Sequence, residues 1–332
     1  MKVWTPEYYR HFHCIAGACP DSCCKEWEVD VDDTAAAFYR TLDGSLGDRL
    51  RQVMKDTDDG TVMIIEDGRC PMWRQDGLCR IQAQLGEQAL CHTCRQFPRL
   101  RHDYGDFVEL GLELSCPEAA KLILSGENAK TVVRQESGGE DAEYDPDAMT
   151  LLLESRKQAL EILDTYRNAP GQALAVLLFW GYTVQARLDG EEPADFSAED
   201  ALCTAKKIAA PGDAASLLAE YRELEILTSA WEQQLQAPLG SSWSAAHIAM
   251  ARYLIQRYWL QAVSDLDLIC RVKFILASCL TVKLLGGEIL VTAQRYSKEI
   301  ENDADNIDAL LDAAYTSAAM ADIRLLGLLL ED

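Results

Sequence analysis

Nine of the chain's twelve cysteines fall in one stretch: Cys14, Cys19, Cys23, Cys24, Cys70, Cys79, Cys91, Cys94 and Cys116. Cysteines used only as small apolar core residues would be spread through the chain, so the crowding points to chemistry. Disulfides, zinc and an iron–sulfur cluster are the candidates. Disulfides require an oxidising compartment, yet Met1 is followed by Lys2, Trp4, Glu7, Tyr8, Tyr9 and Arg10 with no apolar signal core. That predicts a cytoplasmic protein with reduced thiols, in which clustered cysteines are metal ligands first. A zinc ribbon would show two Cys-x-x-Cys knuckles, and there is one, Cys91-His92-Thr93-Cys94. Cys70-Pro71 and Cys116-Pro117 are similar to the Cys-Pro that closes bacterial iron–sulfur runs. Metal is the expected use, iron–sulfur ahead of zinc, since nine thiols exceed what one zinc ion needs.

The elements that position these thiols are short. Gly17 and Pro20 break regular structure between the first ligands, leaving a loop free to wrap an ion. Adjacent Cys23 and Cys24 are awkward on one metal, so they point to two sites, or one of them packs in the core. Trp27, Val29 and Val31 alternate with Glu28, Asp30 and Asp32, which predicts a strand with one wet face. Asp33 or Thr34 then caps a helix over 34–55. A turn at 56–60 and an apolar run from Val62 to Ile65 predict a small hairpin with the first strand. Asp76-Gly77 is a turn that folds Cys70 towards Cys79. A helix of about ten residues carrying Ile81, Leu85 and Leu90 delivers Cys91 and Cys94.

The fold class expected is mainly α: a Cys-rich metal-binding region (1–133) with a small β-hairpin, an acidic linker (134–148), and an α-helical bundle domain (149–332). Helices are predicted over 147–168, 171–188, 197–209, 213–237, 242–263, 265–285, 287–302 and 306–330, punctuated by Pro and Gly. The apolar run from Ala173 to Tyr182 is too short to span a bilayer. Cys270 and Cys279, nine residues apart on one helix, lie on opposite faces and with Cys203 are expected to be packing residues. Tyr253, Tyr258, Trp259, Trp231, Trp243 and His247 are read as core, with a substrate groove as the alternative. The net charge of -23 argues against nucleic acid, whose phosphates need a basic face, and steering of lysine-bearing substrates is a secondary reading of it.

Three blocks stand in order over residues 8 to 124. They are Phe-x-Cys-x4-Cys-x3-Cys-Cys-x-x-Trp, then Cys-Pro…Asp-Gly-x-Cys-x-Ile-Gln-x-x-Leu-Gly…Leu-Cys-x-x-Cys-Arg-x-Phe-Pro-Arg, then Glu-Leu-Ser-Cys-Pro-Glu-Ala-Ala. The order resembles the flagellin lysine-N-methylase family and, more distantly, a wider group of Cys-rich zinc- or iron-chelating proteins. Eight thiols match both groups, and Cys91 is additional to the wider one. The resemblance implies methylation of flagellin lysines with S-adenosylmethionine as donor, in a protein carrying a [4Fe-4S] cluster, with zinc as the alternative metal. Two signatures are missing. Cys19-x3-Cys23 begins the radical-enzyme pattern Cys-x3-Cys-x2-Cys, but Glu26 stands third. No strand leads into a Gly-x-Gly loop, and Gly138-Gly139 and Gly286-Gly287 lie in the linker and at a helix end. Within the basic group His92, Arg95, Arg99, Arg101 and His102, the forks of Arg95 and Arg99 are candidates for the donor's carboxylate. The plainer alternative is that the group neutralises thiolates or pairs with Asp103, Asp106 and Glu109. Tyr8, Tyr9, Tyr104, Glu118 and Asp30 are candidate bases that nothing ranks, and the catalytic residue stays open. The competing reading is a non-catalytic metal-binding or electron-transfer module with a helical adaptor.

Overall fold

Val3, Thr5 and Pro6 are buried along Lys2–Pro6, and this run forms strand β1, which no signal in the sequence marks. The structure, a computed structural model, describes residues 1–58, 60–127, 129–136 and 142–331. β1 is interior to a four-stranded sheet with β5 (Arg99–Asp103), β6 (Phe107–Leu112) and β7 (Thr131–Gln135), in the order β5-β6-β1-β7. It runs parallel to β6 and antiparallel to β7. This sheet corrects the expectation of a single hairpin: five-residue strands with Pro, Arg and His in them carry little alternation of their own and are fixed by pairing.

The expected pairing of the first strand with the apolar run is present within a second, three-stranded sheet, but not as a hairpin, since Met54–Thr57 lies between them in the chain and is itself the consecutive antiparallel partner of Gly60–Met63. β2 (Val29–Val31) pairs antiparallel with β4 (Gly60–Met63), and β3 (Met54–Thr57) lies on the far side of β4. The helix predicted over 34–55 is two helices, α1 (Asp33–Thr41) and α2 (Gly44–Val53), because the chain turns at Leu42-Asp43 and Gly44 takes a φ of 75°. Asp32, rather than Asp33 or Thr34, is the cap, accepting from the Ala35 N–H at 3.0 Å. α3 (Arg80–Leu85) and α4 (His92–Gln96) flank a 3-10 turn, so the predicted ten-residue helix is interrupted at Gly86. Val29, Val31, Ala36, Tyr39, Leu50, Val53, Met63, Met72 and Ile81 form a small core here, and Cys70 and Cys91 belong to it.

The rest is helical: α5 (Pro117–Leu124), α6 (Pro146–Thr165), α7 (Pro170–Leu188), α8 (Ala198–Ile208), α9 (Ala214–Arg222), α10 (Ser229–Gln236), α11 (Ala245–Tyr258), α12 (Ile269–Leu285), α13 (Ile289–Tyr296), α14 (Ala304–Thr316) and α15 (Asp322–Leu330). The chain is mainly α-helical with small sheets in its first part. α12 is buried on nearly every side against α7, α11 and α14. The larger core joins Tyr8, Phe12, Phe107, Leu112 and Leu114 to residues of these helices. Of the acidic segment 134–148, Arg134 and Gln135 belong to β7 and Pro146 to Ala148 open α6, while 137–141, with Gly138-Gly139, lie outside the described residues. The expected long helices over 213–237 and 306–330 each break in two, and that over 287–302 ends in a π-helical turn, Ser297–Glu301, whose five residues are all buried. Among the described residues no helix is long and apolar enough to cross a membrane.

Cys270 and Cys279 are buried, whereas Cys203 is exposed on α8 and is not a packing residue. Trp231, Tyr253, Tyr258 and Trp259 are core residues, and Trp243 stacks edge-on to His247 with ring centroids 5.1 Å apart. His247 closes the capping box of α11, its Nδ1 accepting from the Ser244 N–H at 3.1 Å. Burial, with Lys283 nearby, lowers its pKa to about 4. The folded protein therefore resists a proton that the unfolded chain accepts near 6.5, so this term holds above that value and stability falls as pH drops towards 4. The loss expected is about 3 kcal/mol. Urea denaturation at pH 7 and pH 4.5 checks it, and His247→Gln should remove most of the difference.

Candidate functional site

Two loops bring the thiols together by touching backbone to backbone. A Cβ on Gly17 would stand 2.6 Å from the Asp76 carbonyl oxygen, so only glycine lets the loop carrying Cys14 and Cys19 seat on the Asp76-Gly77 turn. That turn is closed as expected, with the Gly77 N–H donating to the Arg74 carbonyl at 2.9 Å and the Arg74 N–H to that of Leu78 at 2.9 Å. Trp73 and Cys79 bridge across it, which folds Cys79 back towards Cys70. The Cys70 N–H donates to the Cys24 carbonyl at 2.8 Å, tying the first thiol loop to the second.

The Cys24 thiol makes side-chain hydrogen bonds with both Cys23 and Cys70, which draw its pKa down and push theirs up. Cys70 Sγ also stands 3.2 Å from Met63 Sδ. The free thiols of Cys91 and Cys94 share another hydrogen bond, Cys91 lowered by the contact and Cys94 raised. Cys79 is raised by burial and by the nearby Cys24 and Cys91. Cys14, Cys19 and Cys116 make a further group: burial raises Cys19 and holds Cys116 up to about 11, and each feels the charge of Cys14. Cys23 stands between, raised by Cys24, by burial, and by Cys14 and Cys116. Charge effects of this kind link all nine thiols electrostatically. Even so, among the described residues no three His, Cys, Asp or Glu side chains close on a point that could hold an ion. The donor types suit a soft metal, but the thiols in mutual contact are the row Cys23–Cys24–Cys70 and the pair Cys91–Cys94 rather than a finished cage.

A lysine holds this region against the helices. Lys298, on the π turn, is buried, and its Nζ lies 3.1 Å from Asp21 Oδ2, 2.7 Å from Glu26 Oε2 and 4.7 Å from the centre of the Trp27 ring. Gln294 donates to Asp21 Oδ2 at 3.1 Å and to the Ser115 carbonyl at 2.7 Å. Burial alone would raise the Asp21 carboxyl, but Lys298, Gln294 and Lys25 hold it below its usual range. A cleft of about 300 Å³ runs beside this contact, between Pro20 and Lys25 on one side and Leu290 and Arg295 on the other. The sequence could not mark Lys298 as buried, because a π turn shifts the helical register by one residue.

The basic residues after Cys91 do not form one patch. Arg95 is exposed, Arg99 bonds Tyr9 and lies over the Phe12 ring at 5.3 Å, and Arg101 pairs with Asp103 at 2.6 Å. The His92 N–H donates to Asp32 Oδ2 at 2.7 Å, and His102 turns inward. Among the candidate bases, Tyr8 and Tyr104 are raised by burial, Glu118 pairs with Lys121, and Asp30 is exposed.

A buried polar network went unseen in the sequence. Arg156 holds Glu109 with two bonds, of 2.8 and 2.6 Å. Arg257 donates to the Tyr253 hydroxyl at 2.6 Å and stands 3.4 Å from Glu301 Oε1, which also accepts from Tyr253 at 3.1 Å and Tyr258 at 2.9 Å. Glu113 beside them is raised by burial. The available signal was Glu109, one acid in the otherwise apolar run Phe-Val-Glu-Leu-Gly-Leu, which must find a partner if the strand is covered.

The chain is 34% identical over 144 residues to the flagellar biosynthetic protein FliU of Salmonella muenchen, covering 41% of this chain and 85% of that protein. It is also 34% identical to the lysine-N-methylases of Salmonella choleraesuis, over 150 residues, and Salmonella typhimurium, over 147. These two matches again cover 41% of this chain, but 37% of each methylase, so the chain spans little more than a third of their length. No family model matches. No solved structure matches.

Proposed function

Since the chain belongs to the family that includes the flagellar biosynthetic protein FliU and the lysine-N-methylases, we propose that it methylates lysine side chains of a protein, flagellin foremost, with S-adenosylmethionine as donor. The observation that carries this reading is the 34% identity spread over 85% of FliU, joined to the shared name of the two methylases. In the reaction the lone pair of a neutral lysine amine forms an N–C bond to the donor methyl. The C–S bond breaks, its electrons return to sulfur, and the displaced amine proton passes to a base or to water. Free lysine has a pKa near 10.4, so the site must favour the uncharged amine.

The nine thiols are proposed to hold a metal, [4Fe-4S] with zinc as the alternative. Such a group would tie the loops of Cys14 to Cys24 to those of Cys70 to Cys94, and the pairing of the thiols supports the placement without fixing the ligand set. Arg95 and Arg99 are proposed for the donor's carboxylate; Arg95 is exposed, while Arg99 would first leave Tyr9 and Phe12. A second reading, a metal-binding or electron-transfer module, draws on the partial span of the methylases.

The test is transfer of labelled methyl from S-adenosylmethionine to purified flagellin by anaerobically prepared protein, with the label mapped to lysine. Label on lysine is the expected result. No transfer, together with no heat on titrating the donor, would leave the module reading.

A further inference from the structure

β7 closes one side of the four-stranded sheet and, among the described residues, has β1 on one flank and no strand on the other. Its hydrogen bonds show which groups face the open flank. Met1 and Glu136 exchange bonds in both directions, at 3.2 and 3.1 Å, and the Glu7 N–H donates to the Lys130 carbonyl at 2.9 Å. Opposed residues of an antiparallel pair alternate between bonded and unbonded, so residues 130, 132, 134 and 136 turn their backbone groups towards β1. Thr131, Val133 and Gln135 therefore turn theirs outward, and among the described residues no other part of the chain bonds them. The opposite edge is guarded, since β5 carries Arg99, Arg101, His102 and Asp103 within its short length. β7 reads Thr-Val-Val-Arg-Gln instead, with Val132 and Val133 exposed by 43% and 54%.

We propose that β7 is the pairing edge of a homodimer, where it meets β7 of a second copy antiparallel across a two-fold axis at Val133. Because the outward groups fall on odd residues, the symmetric registers that bond them centre on residue 132, 133 or 134. Charge decides between these. A centre at 132 sets Lys130 against Arg134 of the second copy, and a centre at 134 sets Arg134 against itself; both oppose like charges at the closely spaced, unbonded positions. A centre at 133 sets Lys130 against Glu136, and symmetry repeats that attraction at the other end. The same register lays Val133 on Val133, puts Thr131 opposite Gln135, and covers Val132 with the stem of Arg134. It also pairs every outward residue with another, so that all their N–H and carbonyl groups are bonded and the two sheets become one. The stretch 130–136 is about a third of the roughly 20–30 residues a side of a standard interface, which makes the association weak and reversible.

Sedimentation velocity on the full chain, from low to hundreds of micromolar, should show a monomer passing into a dimer. The amides of Thr131, Val133 and Gln135 should slow in hydrogen exchange over the same range. Lys130→Glu and Glu136→Lys should each weaken the dimer about tenfold, since two attractive pairs become two repulsive ones. The double exchange should restore it. Val133→Pro removes an N–H that β1 does not use, so the sheet keeps its ladder while the dimer is lost. Should that variant melt below the wild type, the charge exchange decides alone. A monomer at every concentration, a dimer indifferent to Val133→Pro in a protein of wild-type melting temperature, or a double exchange that restores nothing would each overturn the pairing. Monomers in which flagellin, and not a second copy, protects the three amides would overturn it in favour of an acceptor protein on this edge.

Discussion

Replacing Cys24 with serine is expected to strip most bound metal from the protein and to lower its melting temperature more than any other single thiol substitution. Cys24 Sγ is in contact with both Cys23 and Cys70, and its carbonyl holds the Cys70 N–H at 2.8 Å, so one residue joins two loops. A hydroxyl is a poor substitute for a thiolate on a soft metal, and the loops it leaves have few apolar contacts of their own. Cys70→Ser should come next, because Cys70 is also a core residue against Met63. Cys279→Ser, in the helical core, should cost on the order of 1 kcal/mol and leave the metal in place. Exposed Cys203 should tolerate serine without effect. Metal analysis and thermal melts of anaerobically purified variants decide the matter. Full metal in Cys24→Ser beside loss in Cys279→Ser would show the ligands to be elsewhere.

Arg257→Met should destabilise the folded protein by about 3–5 kcal/mol. Glu301 is fully buried, and without the guanidinium its charge would be met by the hydroxyls of Tyr253 and Tyr258 alone. Glu301→Gln should cost less, because an amide oxygen still accepts from both phenols while Arg257 keeps its bonds to the Tyr253 hydroxyl and the Glu301 carbonyl. The double variant should lose less than the sum of the two, as members of one network do. Urea unfolding gives all three numbers, and a cost below 1 kcal/mol for Arg257→Met would contradict the charged pair.

Local features were legible in the sequence and distant ones were not. The Asp76-Gly77 turn needs only four residues to declare itself, and the β2–β4 pair joins an alternating strand to an apolar run, each readable by itself. The Cys-rich span was visible from composition, but which thiol meets which was not, since Cys24 contacts both its neighbour Cys23 and the distant Cys70. β1 stayed hidden because its partners Phe107 and Arg134 lie more than a hundred residues on. Lys298 falls within the helix expected over 287–302, and in the structure it sits on the buried π turn against Asp21 and Glu26. The outward row of Thr131, Val133 and Gln135 on β7 is a pattern that exists only after pairing with β1.

The interior place of β1 also sets an order of events on the ribosome. Lys2–Pro6 emerges early, yet it cannot enter its sheet until β6 and β7, about a hundred residues later, have left the exit tunnel. Between them lies the small unit with its own core of Val29, Tyr39, Leu50 and Met72. If that unit gathers first, it draws the ends of the intervening chain together and reduces the entropy of closing so long a loop. Nascent chains stalled once residue 95 has cleared the tunnel should then already protect Met72 from oxidation, while Trp4 remains open to quenchers until β7 has cleared it too.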